Sequence, residues 1–169
     1  MPSARVFRLF LPAMLLAAVG LMPAHETERA CQKMPPEFEQ MAVRDISIRT
    51  AAGEVVTLTV RIANNSQART AGYQHVCPET IAETAILFVY SSPISSSFHM
   101  NNVHAPLDIA FFDRGGSWMR TLLMHPPPHG EQSKLYDPES PFRYALETAE
   151  GRMQKLGIGA GAQLLPLRR

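Results

Sequence analysis

The chain has 169 residues, with 16 lysines and arginines against 15 aspartates and glutamates and a formal charge of +1. Its 46% hydrophobic content is enough for a packed domain and too high for a disordered chain. The near balance of charge, with no basic stripe interleaved with aromatics, gives no support to nucleic-acid binding.

Taken in chain order, residues 1–24 read as a targeting segment. Arg5 and Arg8 form a basic start without acids, and Leu9 to Met22 follows as an apolar run. That run is shorter than the roughly 20 residues a membrane-spanning helix needs, and Pro12 interrupts it. Export to the periplasm or outside the cell is therefore expected, with cleavage after Gly20 or Ala24 and no stable membrane span afterwards. Removing the segment takes away two arginines and no acid, leaving a formal charge of −1. Residues 25–42 are charged and contain Pro35-Pro36, the pattern of an exposed leader, and residues 43–169 are expected to form a single β-rich domain. The two cysteines, Cys31 and Cys77, both lie in the exported part. An even pair in an oxidising compartment predicts a disulfide.

Val43 to Arg49 and Val55 to Ala63 alternate apolar and polar residues about a turn at Gly53, which predicts a hairpin. Asn65 and Ser66 suit a helix start over Gln67 to Ala71, ending at Gly72. Thr84 to Tyr90 is nearly all apolar, as in a strand buried on both faces, and Pro93 is expected to end it. A short strand is expected at Phe98 to Met100, then clearer ones at Leu107 to Phe112, Trp118 to Met124, Phe142 to Glu147 and Gln163 to Leu167. Residues 125–137 form a proline-stiffened loop, and Thr148 to Leu156 reads as a second short helix ending at Gly157. Short strands with two short helices predict a mainly β fold, a compact antiparallel sandwich or barrel.

Several stretches together resemble one bacterial and archaeal family, domain of unknown function 192. They are Gly72 after a short helix, AILFVY (85–90), SFHMNNVHAPLDIAFFD (97–113), FRYALE (142–147) and KLGIGAGAQL (155–164). The resemblance covers about residues 55–167 and implies a jelly-roll-like β structure with short helices; it implies no activity. Met100, Asn102, Pro106, Leu107, Asp108 and Ile109 match the family's pattern. Departures are His99 for its tryptophan, Asn101 for its lysine, Val103 for its threonine, Tyr73-Gln74 for Leu-Met, and Gly161-Ala162 for its late Gly-Asp pair.

Three chemistries compete for the unusual residues. The first is a non-catalytic binding or accessory module with a small-molecule site at His99, Asn102, Asp108 and Trp118, the indole offering a stacking surface. Against it, Asn102 and Asp108 are also good corner residues, because their side chains bond nearby backbone amides. The second is metal handling: His99, His104, Met124, His125 and His129, with Met100 nearby, offer imidazole and thioether ligands that suit copper. Strand alternation, however, sets His99 and Met100 on opposite faces. Cleavage after Ala24 would add His25 as an amino-terminal chelator. The third is a small hydrolase with Asp108 as acid or base, for which glycoside chemistry would need a second carboxylate such as Asp113 or Glu147. No nucleophile elbow or metal motif is present, so catalysis is the weaker expectation. Oligomeric state has no sequence signal.

Overall fold

The computed structural model describes residues 31–167; the targeting segment and His25 fall outside them. The elements are α1 (Pro36–Glu39), β1 (Ala42–Arg49), β2 (Val55–Ala63), α2 (Ser66–Ala71), α3 (Pro78–Glu83), β3 (Ala85–Ile94), β4 (Leu107–Phe112), β5 (Trp118–Met124), β6 (Phe142–Ala149), α4 (Arg152–Lys155) and β7 (Gln163–Leu164). The seven strands make one sheet in the order β5-β4-β6-β3-β2-β1-β7. The protein is mainly β, as expected, with every named strand pair antiparallel except β2–β3, which is parallel. A parallel pair needs a crossover, and α2 and α3 provide it.

The sheet curls until its two edges meet at one end. Ser117 bridges Gln163, the Trp118 N–H donates to the Ala162 carbonyl (2.9 Å) and the Leu164 N–H to the Gly116 carbonyl (2.8 Å). Curling separates two cores. Inside the curl lie Ile46, Ile48, Leu58, Val60, Leu87, Ala110, Phe112 and Leu146, with Met153 and Ile158 closing one end. On the outer face lie Ile86, Phe88, Ile109, Phe111, Phe142 and Ala145, covered by Phe38, Tyr73 and Ile81 from the helical segments and by Met100, Val103, Met124 and Tyr136 from β5 and the loops. Alternation along β3, β4 and β6, broken in β6 only at Phe142 beside the register shift, feeds both cores, which is why these central strands read as apolar runs.

Several local expectations are revised. Among the described residues four short helices stand where two were expected. α1 and α3 each begin with a proline and carry an acid in the first turn (Glu37, Glu79), a start signal that is easy to miss in so short an element. Most leader residues from Gln32 to Ala42 are exposed, but Phe38 is 1% exposed, packs on Tyr73 and lies beneath the Arg61 guanidinium. A Cys31–Cys77 disulfide ties this strap down, beside a single parallel bridge between Gln32 and Val76. Closing a loop of 46 residues contributes roughly 4 kcal/mol on the loop-entropy model.

Pro93 does not end β3, which runs on to Ile94. The register to β6 breaks between Val89 and Ile94, so the missing N–H of proline falls in the irregular stretch. The expected strand at Phe98 to Met100 shrinks to one bridge between Phe98 and Tyr136. Thr148 and Ala149 continue β6 rather than starting a helix, because both still pair with β4, and α4 keeps only Arg152–Lys155. The Asn65 side chain does cap α2, accepting from the Ala68 N–H at 2.9 Å.

Candidate functional site

Asp108 sits at the start of β4 and is 9% exposed. Its neighbours Leu107 and Ile109 face the outer core, so by alternation Asp108 points to the opposite side of the sheet. There its carboxylate accepts the Gly151 N–H at 2.8 Å and a second backbone bond from Met153. Burial pushes its pKa up, and these two bonds pull it back down. Asp108 thus ties the β6–α4 turn, where Gly151 takes the left-handed conformation (φ 73°), to the neighbouring strand. Replacing it should act on stability: Asp108→Ala is expected to cost about 1–2 kcal/mol in urea unfolding and to leave ligand binding in the cleft described below unchanged. A variant of wild-type stability with lost binding would contradict this placement.

Asn102 occupies the corner in the left-handed region (φ 58°). Its carbonyl accepts the His75 N–H (2.7 Å), and its amide donates to Gln74 Oε1 (3.0 Å). His99 is exposed, and its Nδ1 accepts the Asn101 N–H at 3.3 Å. Trp118 is half-buried against the inner core, its indole N–H donating to Thr121 Oγ1. The four residues expected to share one small-molecule site are therefore split: His99 and Asn102 lie on the outer side, whereas Asp108 and Trp118 face the inner one.

The metal candidates are also dispersed. Met100 and Met124 are fully buried in the outer core, while His99, His104, His125 and His129 are exposed. Tyr136 fastens the stem of the proline loop, accepting from the His125 N–H and donating to the His125 carbonyl. Among the described residues, no three His, Cys, Asp or Glu side chains are grouped so as to hold a metal ion.

What the structure does build is a cleft of about 350 Å³ on the outer face. Its walls come from the end of α2 with Gly72 to Gln74, from β3 through Phe88 and Tyr90, from the loop Ser96 to His99, and from Glu147 on β6. Phe98 packs edge-on against Phe88 (5.2 Å) and lies 5.9 Å from Phe142, which is itself edge-on to Tyr90 (5.5 Å). Arg69 lies 4.9 Å over the Tyr90 ring and donates one bond to the Val89 carbonyl (3.2 Å). Gly72 turns the chain out of α2 with φ 48° and ψ −132°, a conformation open to glycine.

Glu147 is the group that sequence reasoning underrated. It is 5% exposed, and its cross-strand neighbours are Ile86 and Ile109, both wholly apolar. Its carboxyl has no hydrogen-bond partner among the described residues, and burial alone pushes its pKa up to about 8. At neutral pH it is largely a neutral carboxylic acid. A signal was present: Glu147 shares one face of a central strand with Ala145 and Ala149, an acid in an otherwise apolar row.

A family model described as "Uncharacterized ACR", domain of unknown function 192, matches residues 47–165. The chain belongs to that family. No curated protein matches the sequence. Among solved structures, one from Sinorhizobium meliloti, described as a "putative transcription regulator", is 26% identical with a TM-score of 0.64, over 74% of this chain and 94% of that one. Another, a protein of unknown function from Novosphingobium aromaticivorans, is 22% identical with a TM-score of 0.63, over 82% of this chain and 95% of that one, and shows the shared fold. This domain-of-unknown-function 192 chain thus shares its fold with both of these proteins. Among its described residues no helix is long and apolar enough to cross a membrane.

Proposed function

We propose that this protein is an exported, non-catalytic binding module whose small-molecule ligand occupies the Glu147 cleft. The observation that carries this is the Glu147 carboxyl, 5% exposed and without a hydrogen-bond partner among the described residues, reaching a concave site that aromatic rings and polar groups share. Leaving such a group unpaired costs free energy that a ligand recovers. The cleft's size falls within the range of small-ligand pockets. Export is supported by the basic and apolar leader and by the Cys31–Cys77 bridge, which belongs to oxidising compartments.

Binding is favoured over hydrolysis because Glu147 is the one carboxyl among the cleft's lining residues, and Asp108 works on the other side of the sheet. The regulator description of the Sinorhizobium protein finds no counterpart in a charge-balanced chain whose longest helices among the described residues have six residues.

The test is a fragment screen by amide NMR with sugars, amines, carboxylates and zwitterions. Binding should shift Gly72, Gln74 and Ser97 together. A screen in which no fragment moves those three resonances sinks the proposal.

A further inference from the structure

We propose that the cleft's ligand is a small zwitterion, a free α-amino acid or a molecule of like charge pattern, with its carboxylate on Arg69 and its ammonium on Glu147; this rests on the cleft being a binding site. Two groups of opposite kind line one cavity without pairing with each other. The ion pair found among the described residues is Arg120–Glu139, which is no part of the cleft. Arg69 spends one N–H on the Val89 carbonyl and stacks on Tyr90, so most of its donors remain for a ligand. Burial raises the Tyr90 phenol, and beyond that Arg69 lowers and Glu147 raises it, which places both groups within electrostatic reach of one hydroxyl.

Charge complementarity selects among ligand classes. An anion would satisfy Arg69 and could accept a hydrogen bond from the protonated Glu147 carboxyl, but it offers Glu147 no opposite charge; the N-acetyl derivatives test this alternative. A cation would satisfy Glu147 and face Arg69. A neutral sugar offers neither charge. An α-amino acid supplies both, and Phe88, Phe98 and Tyr90 give its side chain an apolar wall.

Binding also moves a proton. The ligand's ammonium meets a carboxylic acid, and formation of the ion pair releases the acid's proton to solvent. No bond in the ligand changes. The titratable groups that line the cleft with Glu147 are Arg69 from α2, Tyr73 after it, Tyr90 on β3 and His99 on the rim, and Tyr73 and Tyr90 feel its charge. From β4 and β3 the strand neighbours are Ile109 and Ile86, and α3 contributes Ile81 while Glu79 and Glu83 stay exposed. Arg61 and Arg152 are felt at Tyr73.

The experiment uses the full, oxidised chain with L-leucine, L-phenylalanine and L-glutamine, each also as its N-acetyl and its amide derivative, followed by amide NMR and calorimetry. At least one free amino acid should bind at the cleft, and acetylating the amine or amidating the acid should each weaken it roughly tenfold or more. At about pH 6.5, calorimetry in buffers of different ionisation heat should show close to one proton released per ligand. Arg69→Gln should erase the preference for acid over amide, and Glu147→Gln the preference for free amine together with the proton release. Should the variants not fold, the wild-type ligand series decides alone. Equal binding of all three forms overturns the inference, as does the absence of any cleft shift at about 10 mM amino acid. If a sugar or other neutral fragment then moves the same resonances, the cleft remains a binding site for a different ligand; if nothing does, both proposals fail.

Discussion

Raising the pH from about 5 to about 9 is expected to destabilise the wild-type protein far more than its Glu147→Gln variant. Burial holds the folded Glu147 carboxyl near 8, against 4.5 for the free group. Between those values the folded state keeps a proton that the unfolded chain has lost, so ΔG of unfolding falls as pH rises through the window. The loss is complete only above the folded value. The scale is up to about 4 kcal/mol, or on the order of 10 °C in Tm for a domain of this size. The substituted amide is neutral and nearly isosteric with the acid, so the variant should match wild type near pH 5 and overtake it near pH 9. Asp108 is shifted in the same direction, but it is present in both proteins and cancels in the difference. Thermal unfolding across the pH range checks this, and parallel Tm curves would refute a buried, unpaired Glu147.

Gly116→Ala should be the most damaging glycine-to-alanine change among the described residues. Gly116 has φ +86°, and a Cβ there would run into the Leu164 carbonyl oxygen, a backbone atom with nowhere to move. The position is also where β5 and β7 meet, through the Leu164 N–H to Gly116 and the Trp118 N–H to Ala162. The added methyl therefore pries apart the closure that seals the inner core. A cost on the order of 3–5 kcal/mol is expected. Gly53→Ala is the matched control: it has the same φ of +86° with open space around it, so it should cost only about 1 kcal/mol of backbone strain. The two urea midpoints decide it. Equal shifts would mean that backbone strain, not closure of the sheet, governs Gly116.

The strands are largely legible in the sequence because their signal is local. Val56, Leu58, Val60 and Ile62 alternate with polar residues, and β2 runs Val55–Ala63 in accord with that pattern. β4 matches Leu107–Phe112 to the residue. The short helices are less so: α1 and α3 carry little beyond a proline start, and their packing through Phe38 and Ile81 involves partners far along the chain. The candidate site is the least legible part. Asp108 and Glu147 both stand in apolar strands, and one strand's alternation says only that its neighbours face the other way.

By itself, the sequence determined that this is a β-rich chain of the family, with strands set by period-two patterning and a pair of cysteines available to bridge. Tertiary structure alone decided which carboxyl lines a cleft. The β3–β6–β4 register and the curl of the sheet assign each strand face to an inner or outer core. On the inner side the Gly151 turn supplies Asp108 with backbone donors. On the outer side Glu147 stands between Ile86 and Ile109 with none, beneath walls contributed by α2 and the Ser96–His99 loop. Desolvation and hydrogen bonding depend on such neighbours, distant in sequence, and so they set the chemistry of a carboxyl that the linear pattern cannot distinguish.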